Sequence, residues 1–203
     1  IKLKPDYAEA YFNRGNALQE LGRPDEALDS YDRALKISPD FAEAYNNRGL
    51  VLKGLKRVGE ALDSYDLALK LKPDYAKAHN NRGDALQDLK RLDEALDSYG
   101  LALRLKPDYA EAYYNRGNAL KALKRLDEAL DSYNRALKIK PDFAEAYNNR
   151  GNALLDLERP DEALASYDRA LKIKPDFEFL YGTRLFTKMK LCDWSDAEGQ
   201  IAE

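Results

Sequence analysis

The sequence predicts an all-α protein built as a solenoid of antiparallel helix pairs, and three observations lead to this fold class. A block of 34 residues is written five times, beginning at Ala8, Ala42, Ala76, Ala110 and Ala144. Within each block, apolar residues recur at the three- and four-residue spacings of two amphipathic helices. Short turns join the two segments and make them antiparallel. Each pair can bury its apolar face only against its neighbours, which defines a solenoid.

The repeat replaces the usual estimate of one or two globular domains with a single elongated array. We expect the chain to begin inside a repeat, because residues 1–7 match the end of the first full block. The sixth block starts at Glu178 and diverges, since Leu185 replaces the glycine found at the helix crossing. The predicted boundaries are 1–7 for the end of a truncated repeat, 8–41, 42–75, 76–109, 110–143 and 144–177 for the full repeats, and 178–203 for a divergent, truncated sixth repeat or junction segment.

The first helix of each repeat is predicted from its stripe of small and apolar residues, such as Ala17 and Leu18 in the first copy. An acidic residue precedes this helix and a glutamate follows three positions later, as Asp40 and Glu43 do. We expect such a pair to form a capping box that satisfies free N–H groups. The same start recurs at Asp6, Asp108 and Asp142, whereas Lys77 breaks it after Asp74.

The second helix of each repeat is predicted from a further apolar stripe, which includes Ala27 and Tyr31 in the first copy. Pro24, and likewise Pro160 in the fifth copy, suits the first turn of this helix, because its missing N–H has no helical partner there. We expect Gly15 on the first helix to face Ala27, which allows the two helices to approach closely. Each repeat is therefore a helical hairpin that stacks on the next.

An arginine recurs in the apolar part of every full first helix. A charged group at a partly buried position needs a partner. We expect that partner to be an acidic side chain on the paired second helix, such as Asp29 or Glu26. The five arginines are Arg14, Arg48, Arg82, Arg116 and Arg150.

This pattern of small and large residues resembles the tetratricopeptide repeat family. The resemblance implies a right-handed superhelical solenoid whose first helices line a concave groove, so that their outward residues meet a ligand. Two departures are Tyr11, where the family has tryptophan, and Arg14, where it has leucine. The matching positions in the first copy are Tyr11, Gly15, Leu18, Ala27, Tyr31, Ala34 and Pro39.

Asparagine occupies the same outward place in every full first helix, and we call Asn13, Asn47, Asn81, Asn115 and Asn149 the first row. A second row, Asn16, Asn118 and Asn152, is interrupted by Leu50 and Asp84. Five mid-helix asparagines cost roughly 3 kcal/mol relative to alanine, and a carboxamide can bind both the N–H and the C=O of an extended peptide. The alternative is that duplication copied the asparagines, just as Ser30 and Arg23 repeat without evident purpose.

The first row resembles the asparagine ladder of O-linked N-acetylglucosamine transferases, which holds the backbone of protein substrates. The run KMKLCDWSD, residues 188–196, resembles the junction after the repeats of bacterial SPINDLY-type glycosyltransferases. These resemblances imply a protein-interaction scaffold that recruits substrates for a larger glycosyltransferase. The alternatives are a terminal repeat with extra aromatic packing at this segment, and a self-assembling or designed, regularised scaffold without a specific ligand.

The net charge of the chain and the charges of the groove limit the classes of partner that we expect. The 33 basic and 36 acidic side chains leave a net charge of −3, so no global field attracts nucleic acid or anionic lipid. A basic or neutral polypeptide is favoured, because eight groove carboxylates outnumber Lys53, Lys77 and Lys121. A clamp for a C-terminal carboxylate is disfavoured, since Glu9 or Phe12 stands where a cation would help. The carboxylates are Glu9, Glu20, Glu43, Asp84, Asp88, Glu111, Glu145 and Asp156.

No group of residues suggests chemistry, so we predict no enzyme activity, no cofactor and no metal. His79 stands where other copies have tyrosine and is interpreted as a packing substitute, and Cys192 has no second ligand or base nearby in sequence. One cysteine favours a reducing compartment, hence the cytoplasm, and no apolar run approaches the roughly 20 residues of a bilayer span. Head-to-tail self-association through Ile1, Leu3 and Ile201 is the structural alternative.

Overall fold

The computed structural model describes residues 7–177 and 179–191, and within these ranges it contains α-helices and short connections but no strand. Odd- and even-numbered helices up to α10 are the first and second helices of the five predicted repeats, which confirms the predicted fold class. The helices are α1 Ala8–Glu20, α2 Pro24–Ile37, α3 Ala42–Gly54, α4 Val58–Leu71, α5 Ala76–Asp88, α6 Leu92–Leu105, α7 Ala110–Ala122, α8 Leu126–Ile139, α9 Ala144–Asp156, α10 Pro160–Ile173 and α11 Leu180–Lys190.

The chain divides into two units, Ile1–Pro107 with α1 to α6 and Asp108–Glu203 with α7 to α11. Within each unit the two helices of a repeat pack together, and each second helix packs on the next first helix. First helices also contact one another, α1 with α3, α3 with α5, and α7 with α9; among the described residues, second helices do not contact each other to the same extent. The first helices are therefore more closely spaced, and their outward side is the inner face of each unit.

In each full repeat, a glycine of the first helix leaves room for a tyrosine ring of the second. A Cβ atom added to Gly15 would lie 2.6 Å from Cε1 of Tyr31. The missing side chain of Gly15 thus makes room for the Tyr31 ring, a partner that the sequence analysis did not predict. Ala27 belongs to the same buried cluster. The five tyrosines in this position, all without exposed surface, are Tyr31, Tyr65, Tyr99, Tyr133 and Tyr167.

The repeated arginines bind second helices rather than the carboxylates that the sequence suggested. Nη1 of Arg48 donates to Oγ of Ser64 at 2.7 Å on the paired second helix. Nε of the same arginine donates at 2.6 Å to Asp32 on the preceding second helix. The prediction of Asp29 or Glu26 as partner is wrong, because the paired helix supplies a serine and the carboxylate comes from the repeat before.

Equivalent bonds recur along the chain. The serine bond is made by Arg14 to Ser30, Arg82 to Ser98, Arg116 to Ser132 and Arg150 to Ser166. The carboxylate bond is made by Arg82 to Asp66 and by Arg184, on α11, to Asp168. Arg48, Arg82 and Arg184 are thus held between helices of consecutive repeats, whereas Arg14, Arg116 and Arg150 bond to the paired helix of their own repeat.

The first helices α3, α7 and α9 do not begin with the predicted capping boxes, and the box predicted at Asp6 lies outside the described residues. The N-cap of α3 is Phe41, which makes no side-chain capping hydrogen bond. Asp40 accepts a hydrogen bond from the Ser38 hydroxyl instead, and Glu43 pairs with Lys72. The prediction is wrong because Phe41 occupies the capping position of α3. The centroid of its ring lies 4.7 Å from that of the Phe12 ring.

The turns between first and second helices share one backbone conformation. In the third repeat, Lys90 N–H donates to Gln87 O and Arg91 N–H donates to Leu86 O, at 3.0 and 2.9 Å. These two bonds form a Schellman motif, which requires a left-handed residue. That residue is Gly22 in the first repeat and Lys56, Lys90, Lys124 or Glu158 in the others, with φ between 58° and 68°. The second helices of the first and fifth repeats begin at Pro24 and Pro160, as predicted.

We expect Gly83→Ala to lower the free energy of unfolding by about 1–2 kcal/mol, because the new Cβ would lie 2.6 Å from Cε1 of the buried Tyr99 ring. Gly100→Ala on α6 is the matched control. No heavy atom lies within 4 Å of its added Cβ, so helix propensity should stabilise this variant by about 0.8–1 kcal/mol. Urea unfolding measures both changes, and equal losses would contradict the packing argument.

Stability should also fall in alkaline solution. Burial raises the pKa of Tyr31 to about 12, against the opposing effect of a hydrogen bond from Asn47. Burial likewise raises the pKa of Tyr65, Tyr99, Tyr133 and Tyr167. Unfolded tyrosine titrates near pH 10, so the stabilisation is fully present below about pH 10 and is lost as the pH rises toward the folded values. The tyrosinate absorbance of these five buried rings should therefore appear together with the loss of helicity, whereas their ionisation at about pH 10 with helicity retained would contradict this expectation.

Candidate functional site

The outward side of the first helices carries the two asparagine rows. In the first unit, Asn13 on α1 is exposed, while Asn47 on α3 and Asn81 on α5 are partly buried. In the second unit, Asn115 on α7 and Asn149 on α9 are partly buried. The second row, Asn16, Asn118 and Asn152, is also partly buried and lies three residues further along the same helices.

Side-chain amides of the first row join consecutive first helices. Nδ2 of Asn47 donates to Oδ1 of Asn16 at 2.9 Å, which links α3 to α1. In the second unit, Nδ2 of Asn149 donates to Oδ1 of Asn118 at 2.9 Å and to the Tyr114 hydroxyl at 3.1 Å, which links α9 to α7. The asparagines therefore have a structural role in the stacking of the repeats, and their side chains are held in defined orientations.

The second row connects the inner face to the core. Oδ1 of Asn16 accepts a hydrogen bond from the hydroxyl of Tyr31 at 2.7 Å. Asn118 accepts from Tyr133 and Asn152 from Tyr167, at 2.9 and 2.8 Å. Each carboxamide oxygen thus holds the hydroxyl of a buried ring.

The two interruptions of this row change the hydrogen bonding of the core. Leu50 stands where the second repeat would need an asparagine, and the buried hydroxyl of Tyr65 has no hydrogen-bond partner. Asp84 interrupts the row in the third repeat, where the hydroxyl of Tyr99 donates to Gln87 at 3.3 Å. The gap at Leu50 therefore leaves an unsatisfied polar atom in the protein interior.

Asparagines that sequence analysis did not single out take part in the same network. Asn46 has no exposed surface, and its side chain donates to Asn47 at 3.0 Å and accepts from Asn81 at 2.9 Å. Asn148 donates to Asn149 at 3.1 Å. The doublets of consecutive asparagines in these first helices were the sequence signal for hydrogen bonds between asparagine side chains.

Two residues whose repetition had no evident purpose have defined partners. Oγ of Ser30 accepts from Arg14 and donates to the backbone oxygen of Glu26 at 2.7 Å. Nε and Nη2 of Arg23 donate to the two carboxylate oxygens of Glu26 at 2.6 and 2.8 Å. Both residues recur for structural reasons, so their repetition no longer supports the view that the asparagines were copied without purpose.

Several of the carboxylates counted for the inner face are neutralised. Glu43 lies 2.9 Å from Lys72, and this hydrogen bond lowers the pKa of Glu43. Lysines at the ends of second helices lie 3.8 Å from Glu111 and 3.7 Å from Glu145. Because the sequence count omitted these lysines, it overstated the negative charge.

Two cavities lie along the inner faces. In the first unit a cavity of about 500 Å³ is lined by Tyr7, Ala8, Glu9, Phe12, Asn13, Ser38, Asp40 and Phe41. In the second unit a cavity of about 490 Å³ is lined by Asn118, Lys121, Ala122, Lys124, Asn149 and Asp156. Both include first-row asparagines, and the second combines them with two cations.

His79 lies in the buried slot that tyrosine occupies in other repeats. Its Nε2 is 2.9 Å from the carbonyl oxygen of Pro73, so Nε2 carries the hydrogen and donates it. Among the residues that the structure describes, no three or more His, Cys, Asp or Glu side chains are grouped to hold a metal ion. Nor does any of the described helices combine the length and the apolar character that a membrane span requires.

The sixth repeat is described only through its first helix, α11. Thr183 stands where the full repeats have a first-row asparagine, and its hydroxyl donates to Phe179 O within its own helix at 3.3 Å. The row of amides therefore does not continue on this helix. Cys192 and Trp194, the rest of the KMKLCDWSD segment after Leu191, and the residues Ile1, Leu3 and Ile201 lie outside the described residues.

Comparison with protein-family models gives two matches. A model described as "Tetratricopeptide repeat" matches residues 8–41, 42–75 and 144–177. A model described as "TPR repeat" matches residues 83–124 and 117–158. Comparison with curated protein sequences gives no significant match.

Several solved structures are similar to this chain over most of its length. YrrB, described as "a TPR protein with an unusual peptide-binding site", is 28% identical with a TM-score of 0.71, over 91% of this chain and 95% of YrrB. TTC0263 of Thermus thermophilus is 28% identical with a TM-score of 0.73, over 90% of this chain and 100% of TTC0263. MamA is 27% identical with a TM-score of 0.72, over 79% of this chain and 94% of MamA.

We expect Leu50→Asn to raise the free energy of unfolding by about 1 kcal/mol, because it offers the hydroxyl of Tyr65 the acceptor that Asn16 offers Tyr31. Leu50→Ala is the control, since it removes the leucine side chain without supplying an acceptor and should destabilise. Urea unfolding compares the two variants. An asparagine variant no more stable than the alanine variant would contradict this account.

Proposed function

Because the chain belongs to the tetratricopeptide repeat family, we propose that it is a scaffold that binds polypeptides, and that an extended segment lies along the inner face of its first helices. The observation that carries this proposal is the network of cross-helix hydrogen bonds among the asparagines. Side chains already held in place lose less conformational entropy when they bind a ligand.

The held amides keep part of their hydrogen-bonding capacity. Nδ2 of Asn81 donates one of its two hydrogens to Asn46. Oδ1 of Asn47 accepts from Asn46 and has a second lone pair. A donor and an acceptor on neighbouring helices suit the N–H and C=O groups of an extended peptide, which have the same chemistry whatever the peptide sequence.

The similarity to YrrB supports a polypeptide as the ligand. YrrB is described as having a peptide-binding site, and it is 28% identical to this chain over nearly the whole of both chains. The family and this neighbour favour binding over catalysis. Peptide recognition by the first row, Asn13, Asn47, Asn81, Asn115 and Asn149, and by the second row is our proposal for this chain.

The partner of the first unit is proposed to be basic or neutral. Glu9 and Glu20 on α1 form no ion pair within the described residues, and Lys53 alone lies between Asp84 and Asp88. The inner face of this unit thus keeps a negative excess, which steers basic segments toward it in low salt.

A finer form of the proposal makes the chain the substrate-recruiting arm of a glycosyltransferase. It rests on the sequence of the first row and of the KMKLCDWSD segment alone. The test is sugar transfer by the natural full-length protein to peptides that this region captures. A full-length protein that captures peptides without transferring sugar would contradict the finer form and leave the scaffold proposal unchanged.

Self-association is the competing proposal, in which Ile1 and Leu3 of one copy meet Ile201 of another. These residues lie outside the described ranges, so the hypothesis rests on the apolar ends of the sequence. Light scattering over a range of concentrations separates the two proposals. A chain that stays monomeric at every concentration contradicts self-association.

We expect the double variant Asn47→Ala, Asn81→Ala to bind an immobilised pool of randomised peptides about tenfold more weakly, because two ligand hydrogen bonds of about 0.5–1.5 kcal/mol each are lost. Asn134→Ala on the second helix α8 is the control and should bind as the wild type does. Circular dichroism verifies that both variants keep their helicity. Unchanged affinity in the folded double variant would refute the role of these asparagines.

A further inference from the structure

In the second, fourth and fifth repeats, a lysine that follows the second helix lies against the start of the first helix. In the second repeat, Nζ of Lys72 is 2.9 Å from a carboxylate oxygen of Glu43 and 5.1 Å from the centroid of the Tyr75 ring. The hydrogen bond to Glu43 raises the pKa of Lys72, because it stabilises the charged ammonium group. This group is thus held by a carboxylate and an aromatic face, both of which attract cations.

The same arrangement recurs in the second unit. Nζ of Lys140 lies 3.8 Å from Glu111 and 4.7 Å from the centroid of the Phe143 ring. In the fifth repeat the corresponding lysine, carboxylate and ring are Lys174, Glu145 and Phe177, at 3.7 and 5.1 Å. The place for this ammonium group is therefore built by the repeat itself.

The first repeat retains the carboxylate and the ring but lacks the lysine. Ser38 stands at the lysine position, while Glu9 and Phe41 keep the positions of the carboxylate and the ring. The Ser38 hydroxyl donates to Asp40. Glu9 accepts a hydrogen bond from the Tyr7 hydroxyl at 2.8 Å and forms no ion pair among the described residues. Because serine carries no charge, the first repeat does not supply the cation that the other three supply.

The place of the missing lysine coincides with the cavity of about 500 Å³ in the first unit. Glu9, Ser38, Asp40 and Phe41 all line this cavity. Phe12 adds a second ring, whose centroid lies 4.7 Å from that of Phe41. The described residues that line the cavity thus include two carboxylates and several aromatic rings but no cation, a combination that favours a positively charged ligand group.

We propose that this cavity binds the ammonium group of a lysine side chain from the polypeptide ligand, with Glu9 as its counter-ion and Phe41 as its aromatic face. This inference rests on the proposed peptide-binding function and gives the first unit an anchor for one basic residue. Lysine is the residue that the fold itself places at this position in three other repeats. Its ammonium group is compact, whereas the guanidinium group of arginine is a larger planar fork.

The test measures binding of the full chain to three pools of short randomised peptides of equal length, with blocked termini and no basic residue at the randomised positions. The pools have a fixed central lysine, Nε-acetyl-lysine or arginine. We expect the wild type to bind the lysine pool about tenfold more tightly than the acetyl-lysine pool, because acetylation removes the charge and keeps the aliphatic stem. The lysine pool should also bind more tightly than the arginine pool.

Two variants assign this preference to the cavity. Ser38→Lys should abolish it, because the new side chain supplies the internal ammonium group that Lys72 supplies in the second repeat. Glu9→Gln should abolish most of it by removing the counter-ion. Asp63→Asn, which removes an equal charge from the exposed side of α4, is the matched control and should retain the preference. Circular dichroism verifies the fold of each variant.

The outcomes separate this inference from the function on which it rests. Equal binding of the lysine and acetyl-lysine pools by the wild type, or a preference that survives in Ser38→Lys, overturns the ammonium site and leaves peptide binding standing. Tighter binding of the arginine pool than of the lysine pool overturns the assignment to lysine. Failure of every pool to bind contradicts the proposed function and this inference with it.

Discussion

Every full repeat depends on a tyrosine ring that lies against the backbone of a glycine. A side chain at Gly15 would overlap the ring of Tyr31, so the residue pair sets how closely the two helices approach. The ring position also sets the position of its hydroxyl, which reaches Asn16 on the inner face. Asn16 in turn accepts the amide of Asn47 from the next repeat. One packing contact in the core thus orders the polar groups of the inner face.

The hydrogen bonds that cross from one repeat to the next make nearly identical repeats chemically different. Leu50 changes no helix boundary, yet it leaves the hydroxyl of Tyr65 without a partner. The exchange of Asp84 for Asn152 two repeats later leaves Lys121 without the ion pair of Lys53. Such substitutions alter the surface while the backbone stays the same, so a repeat array can vary its recognition without altering its fold.

The elements of the fold were predictable from the sequence because their causes are local. Helical periodicity and the prolines of the turns depend only on neighbouring residues, and α2 begins at Pro24 as expected. The partners of buried charges were not predictable in the same way. Spacing places Arg48 on a helix face, but only the stacking of repeats decides that Asp32 of the preceding hairpin reaches it. A capping motif likewise does not reveal that Phe41 takes the capping position in order to pack on Phe12.

The candidate site was predictable to a similar degree. Spacings of three and four placed the asparagines on one ridge of each first helix, and the family resemblance implied that this ridge faces outward. It did not reveal that their amides would bond to each other, because that depends on the distance between consecutive first helices. Nor did it reveal that lysines such as Lys72 at the ends of second helices would neutralise part of the inner face.

The left-handed residue in the fourth repeat's turn links the strain of the backbone to the charge of a cavity. Lys124 adopts φ 61° in the place that Gly22 fills in the first repeat. A lysine carries steric strain of about 1–2 kcal/mol there, which glycine avoids. Lys124 also lines the cavity of the second unit, so its charge stands beside Lys121. A glycine at this position would relieve the strain and would also remove a cation from the cavity, so backbone stability and the charge of the inner face depend on the same residue.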